Sequence, residues 1–399
     1  MPKITNKKKF SKFIVTSVLI VLLLSLSVFL LVNFSSLNDT KAPAEPVSAP
    51  VPTPYVYEGE LVEYTAWVDH IFFHPLIAYP DLAFDFDYMS KGFDDYFVTA
   101  KEFSRILEEM YKRDYILVNI EDVYEFDEEA GRYKQKTLML PPGKTPFILS
   151  IDDLNYYEYM IEHGTVHKLV LDENGEVAAF TVDPETKKEE IRRDLAIVPM
   201  LDDFIKAHPD FSWQGAKGII GVTGYEGILG YRTQSKMRDP ENPSGERIEN
   251  PKRAEEIEAV KPVIKRLKET GWTFASHSYG HYDSSVISYE KLEYDTQKWI
   301  DEIEYLIGET EVYLYPYGST VPVTDPKFDM YSDKGFKILC GVGNSAYYYY
   351  ASNGVVTQRW HFDGIGFRHQ AEEFEKFFDP KDILDECRLD EYNDPDFGK

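Results

Sequence analysis

Residues 254–281 read "AEEIEAVKPVIKRLKETGWTFASHSYGH", and the stretch changes character halfway along. Residues 254–270 have the mixed charged and apolar pattern of an amphipathic helix. Gly271 ends that pattern, and a short strand-like run, Trp272 to Ser276, delivers the chain to His277 and then His281. A helix feeding a strand whose far end carries reactive side chains is the repeating unit of a parallel α/β sheet, in which functional groups gather at the C-terminal ends of the strands.

The same order recurs on both sides. Upstream, Thr99 and Glu102 form a capping box ahead of Phe103, Ile106, Leu107, Met110 and Tyr111, which share one helical face. The strand-like "YILVNI" (115–120) follows, and then "TPFILSI" (145–151), a buried-strand run that ends abruptly on Asp152 and Asp153. Downstream, a helical stretch over 289–307 leads to "EVYLY" (311–315), which runs into Pro316, Tyr317 and Gly318. Between the aspartates and the histidines the alternation is interrupted. The segment "KLVLDENGEVAAFTV" (168–182) predicts a β-hairpin about a type I′ turn at Asn174-Gly175. A helix is expected over 191–207, a strand over 216–222, and a long loop up to Pro251, so that an insertion spans about 160–252.

Ahead of this body lies a different kind of sequence. Residues 13–32 are twenty uncharged, mostly apolar residues, the length that crosses a bilayer core of about 30 Å. Five lysines precede them, and the first acidic residue is Asp39. The positive-inside bias therefore predicts a cytoplasmic N-terminus (1–12), a transmembrane anchor (13–34) and an extracytoplasmic body. A cleaved signal peptide is the competing reading, but its apolar region is usually only about 7–15 residues long. The Pro/Ala-rich stretch within 35–56 predicts a semi-rigid spacer, and the folded body is expected over 57–399.

At 43% hydrophobic and 15% aromatic residues the chain is globular. Past the anchor, 38 basic residues face 69 acidic ones, a net charge near −31. That balance excludes nucleic acid as a partner, since phosphate binding rewards a basic face. Cys340 and Cys387 are the only cysteines. They cannot build a disulfide framework or a cysteine metal site, and two free thiols are expected.

Three short motifs, in order and at successive strand ends, carry a resemblance. "SIDD" (150–153), "HSYGH" (277–281) and "YPYG" (315–318) resemble the T-F-D-D-G, H-S/T-x-x-H and R-x-P-Y-G motifs of the polysaccharide deacetylases, carbohydrate esterase family 4 or NodB-homology domain. The lead-in over 97–123 is similar to the helix and strand that precede the first motif in extracellular members. The resemblance implies a distorted (β/α) barrel, one divalent metal ion with zinc as the expected choice, and an N-acetylated polysaccharide as substrate.

Carried over residue by residue, it implies Asp152 as general base and Asp153, His277 and His281 as metal ligands. Pro316 and Tyr317 would shape the sugar groove, with the Tyr317 backbone N–H stabilising the oxyanion. Ser278 would fix the histidine loop. The residue types suit the chemistry, because two imidazoles and one carboxylate hold a divalent ion while leaving coordination positions open, and a second carboxylate can take a proton from water.

The sequence also departs from the pattern. Leu154 stands where the family has glycine, and Leu314 where its third motif has arginine. No late L-x-H motif supplies the general-acid histidine. In "QRWHFDG" (358–364), His361 is the substitute proton donor, Arg359 the candidate replacement for the arginine, and Trp360 a candidate sugar-stacking residue. His163 and His167 share the four-residue spacing without a matching motif and read as structural, and His70 and His74 read as residues of the first strand near the barrel rim. The functional expectation is a membrane-anchored, metal-dependent N-deacetylase of a cell-wall or surface polysaccharide. The alternative is a non-catalytic carbohydrate-binding protein that keeps the fold.

Overall fold

The computed structural model describes residues 49–343 and 348–388. The predicted anchor, and most of the spacer, lie outside the described residues. No helix among the described residues is long and apolar enough to cross a membrane.

Seven parallel strands form the body: β1 (Asp69–Phe73), β2 (Thr145–Ile151), β3 (Ile219–Val222), β4 (Thr273–Ser276), β5 (Val312–Leu314), β6 (Ile338–Val342) and β7 (Val355–His361). Each pairs with the next in chain order, and β7 pairs with β1, so the sheet closes into a barrel. The expected α/β barrel is therefore observed. Its distortion sits at β2, whose first residues pair with an outer strand, Tyr115–Leu117, while Ser150 and Ile151 pair with β3. Helices α1 (Ala100–Lys112), α2 (Ile197–Ala207), α3 (Arg253–Glu269), α4 (Tyr289–Trp299) and α5 (Pro326–Asp333) supply the crossovers.

Strand alternation separates two cores. On β2, Ile148 packs inside the barrel with Ile219, Ala275, Leu314 and Cys340. Phe147, Leu149 and Ile151 face the helices. The capping box of α1 is present in both directions, Thr99 accepting from the Glu102 N–H and Glu102 from the Thr99 N–H. Both cysteines are free, and burial in the inner core pushes the Cys340 thiol up to about 12.

The insertion differs from its sequence reading in three ways. Lys168–Leu171 and Val177–Val182 pair antiparallel as expected, but a third strand, Glu189–Arg192, pairs with the second. Ile191 is therefore in a strand, and the helix begins at Ile197. Asp183, accepting hydrogen bonds from Thr186, forms the turn that reverses the chain. The turn at Asn174-Gly175 is also longer than type I′. Gly175 alone of the pair is left-handed (φ 79°), and Leu171 pairs with Val177 across it.

Candidate active site

The C-terminal ends of the strands place Asp152, Asp153, His277 and His281 together. Asp152 leaves β2 with its N–H donated to the Phe73 carbonyl of β1 at 2.8 Å. Asp153 then turns left-handed (φ 55°). The strained residue of the first motif is thus Asp153. Leu154, at the family's glycine position, has no left-handed backbone and packs in the outer core. One ligand atom from each of Asp153, His277 and His281 lies within 4.8 Å of the others.

His277 follows β4 and is held by backbone. Its N–H donates to the Val222 carbonyl at 3.1 Å, and its ring Nδ1 is 2.8 Å from the Leu314 carbonyl. A carbonyl only accepts, so Nδ1 carries the hydrogen and the Nε2 lone pair faces the two aspartates, 3.9 Å from each. Burial, despite the neighbouring carboxylates, lowers its pKa and keeps the ring neutral. His281 Nε2 is 3.6 Å from Asp153. Two imidazoles and a carboxylate converging on one point, with one ring oriented by a backbone carbonyl, fit a divalent ion. Tyr157 donates its hydroxyl to Asp153 Oδ1 at 2.7 Å and shares a 2.6 Å bond with Thr223.

Arg359 enters from β7 and is fully buried. Its Nη1 and Nη2 reach the two oxygens of Asp152 at 2.6 and 2.9 Å, and its Nε reaches the Gly341 carbonyl. Ser150, of the first motif, accepts a further bond from Nη1 at 3.1 Å and contacts His70 Nε2 at 2.9 Å. Burial alone would push the Asp152 carboxyl up, but Arg359 above all, with His277 and His74, holds it well below the usual carboxylate range. Leu314 also faces the barrel interior. An arginine can therefore reach Asp152 from β7 as well as from β5.

The remaining expected residues separate. Pro316 is buried in a tight turn, and Tyr317 is left-handed (φ 58°), 69% exposed, with its ring centred 4.7 Å from that of His281. Trp360 is 6% exposed and faces outward from the barrel. It donates to Asp69, lies under Lys376 and packs against Phe377, so its ring is covered rather than offered to a sugar. His361 has both ring nitrogens engaged, Nδ1 with Asp363 at 3.0 Å and Nε2 with Gln370 at 3.0 Å. His163 binds Asp87 and the Tyr159 carbonyl, and His167 packs edge-on to Phe180 in the insertion.

Sequence reasoning placed His74 at the rim but did not see its setting. Phe73 pairs in register with Ile151, so the next residues, His74 and Asp152, leave adjacent strands side by side. His74 Nδ1 is 2.9 Å from the Tyr96 carbonyl, and the ring lies close enough to lower the pKa of both aspartates. The signal that could have found it is its place at the end of the first strand, one ladder step from the acids.

The closed (β/α) barrel thus presents, at the C-terminal ends of its strands, a donor set that could hold a divalent ion beside a buried ionised carboxylate. Residues 245–338, which carry the histidine pair and the third motif, match the family described as polysaccharide deacetylase. Among solved structures, the chain is similar to the Streptococcus pyogenes deacetylase PplD in complex with acetate, at 14% identity over 74% of this chain and 92% of that one, with a TM-score of 0.41. It is similar to a de-N-acetylase from Aggregatibacter actinomycetemcomitans, at 13% identity over 75% and 96%, with a TM-score of 0.41. It is also similar to IcaB from Ammonifex degensii, at 12% identity over 69% and 84%, with a TM-score of 0.37. No curated protein matches. The family match supports a hydrolytic deacetylase acting on an acetylated polysaccharide.

Proposed function

We propose that the protein is a metal-dependent N-deacetylase of a cell-wall or surface polysaccharide, held at the outer face of the membrane by the apolar segment within residues 13–34. The observation that carries this reading is the buried pair of Arg359 and Asp152 beside the trio Asp153, His277 and His281. The arginine whose apparent absence favoured a binding protein is supplied from β7.

Asp153, His277 and His281 would hold one divalent ion, with zinc the first to test. When bound, such an ion would polarise the acetamide carbonyl and acidify the water beside it. Asp152, kept ionised by Arg359, would act as the base that takes a proton from the attacking water. Arg359 fixes the plane of the Asp152 carboxylate through two parallel hydrogen bonds. The exposed ring of Tyr317 stands beside His281, on a left-handed residue of the 316–318 turn.

For the proton donated to the leaving amine we assign His74. Its Nδ1–H donates to the Tyr96 carbonyl, so Nε2 is the nitrogen that would serve the amine. His361, committed at both nitrogens to Asp363 and Gln370, supports the β7 end instead. The reading is tested by acetate release from chitooligosaccharides, peptidoglycan and poly-N-acetylglucosamine, with and without added Zn²⁺. Stoichiometric zinc with no release from any N-acetylated polymer would favour the binding-protein alternative.

A further inference from the structure

His277 and His281 are four residues apart, a spacing that on a helix would align two side chains without further help. Here they lie on a loop beyond β4, and the loop has an unfavourable backbone. Ser278 (φ 62°) and His281 (φ 53°) are both left-handed, a conformation that residues with a Cβ adopt only when their surroundings impose it.

One side chain does the imposing. Asp295, on α4 and 3% exposed, accepts three hydrogen bonds from consecutive loop residues. Its Oδ2 takes the Ser278 hydroxyl at 2.7 Å and the Tyr279 N–H at 2.8 Å, and its Oδ1 takes the Gly280 N–H at 2.8 Å. The Ser278 oxygen in turn accepts from the Tyr282 N–H at 3.1 Å. Every residue from 278 to 282 except His281 is thereby tied to one carboxylate, directly or through one hydroxyl. The approach is close: a Cβ at Gly280 would sit 3.1 Å from Asp295 Oδ1 and 2.7 Å from the Tyr282 ring.

We propose that Asp295 is the positioning residue that sets the separation of His277 and His281, and through it the affinity of the site for a divalent ion. The inference rests on the metal-site reading given above. Asp295 is not one of the three residues whose ligand atoms converge. It converts a strained loop into a preorganised pair of ligands, and the geometry of the pair is thus written on α4, outside the motif.

The test is Zn²⁺ affinity, measured by competition with a chromophoric chelator, for wild type, Asp295→Asn and Ser278→Ala. Thermal unfolding midpoints of each protein are taken with and without saturating Zn²⁺. Asparagine turns one acceptor oxygen into a donor facing another donor, and alanine removes the hydroxyl link alone. The expected result is a loss of affinity of about 10–100-fold for Asp295→Asn, a smaller loss for Ser278→Ala, and a reduced gain in midpoint on adding zinc, because that gain tracks affinity. A merely structural role would lower the metal-free midpoint while leaving affinity and the zinc-induced gain at wild-type values, and that result would overturn the proposal. If Asp295→Asn fails to fold, wild-type affinity in a folded Ser278→Ala does the same. Wild-type protein that binds no zinc removes the metal-site reading itself, and this inference with it.

Discussion

Arg359 and Asp152 form a two-point ion pair inside the barrel, Nη1 to Oδ1 at 2.6 Å and Nη2 to Oδ2 at 2.9 Å, although 207 residues separate them in the chain. The arginine also donates to Ser150 and to the Gly341 carbonyl, so its orientation is set on three sides. It has no freedom to serve as a general surface cation.

Arg359→Ala should lower kcat by about 10-fold or more through loss of an orienting partner, with metal content unchanged. It should also destabilise the fold by about 3–5 kcal/mol, because it strands a buried carboxylate. Acetate-release kinetics, zinc content and chemical denaturation check the three parts. A variant with wild-type rate and stability would show that the pair does neither job.

The adjacent aspartates should divide. Asp152→Asn preserves shape but cannot take a proton, so zinc should remain and turnover should fall. Asp153→Asn removes one of three ligands and should weaken zinc binding first. Metal analysis beside single-turnover rates distinguishes them, and identical behaviour of the two variants would refute the division.

His74→Gln should reduce kcat/KM by about 10²–10⁴-fold, the range for loss of a general acid, with zinc retained. His361→Gln should cost less than about 10-fold, because its nitrogens already serve Asp363 and Gln370. The reverse ranking would return the proton-donor role to His361.

The pH dependence of stability gives a separate check on His361. Burial pulls its imidazolium down, but the hydrogen bond and charge of Asp363, with Gln370 and Glu373, outweigh burial and raise its pKa. A raised folded-state value stabilises the protein fully below the unfolded histidine value of about 6.5, and the contribution is lost as pH rises through the folded-state value. The difference in Tm between wild type and His361→Gln should therefore be largest at acid pH and shrink as the solution becomes alkaline. A constant difference across that range would mean that His361 is not charged in the fold.

Much of this protein was legible along the chain. Patterns of short range in sequence set the α1 capping box, the run of strand 145–151 ending on two acids, and the amphipathic helix before Gly271, because a helix start or a buried strand depends on neighbours only a few residues away. The same local logic located Asp152, Asp153, His277 and His281, and their convergence needed only that parallel strands end on one face. Ile191 marks its limit: a hydrophobic period there fits a helix, yet pairing with Phe180, on the preceding strand of the insertion, claimed it.

Tertiary structure alone decided what lies across the barrel. Leu314 and Arg359 are on different strands but face the same interior, so an arginine absent from one motif is delivered from another strand, and no local pattern records that exchange. Trp360 and Arg359 are consecutive, and strand alternation sends one outward beneath Lys376 and the other inward to Asp152. The register of Phe73 with Ile151 puts His74 beside Asp152, and the packing of α4 brings Asp295 to the histidine loop. The sequence by itself determined which chemical groups stand at the strand ends. Closure of the sheet determined which of them meet, because facing and register across a barrel are set by hydrogen bonding between strands distant in the chain.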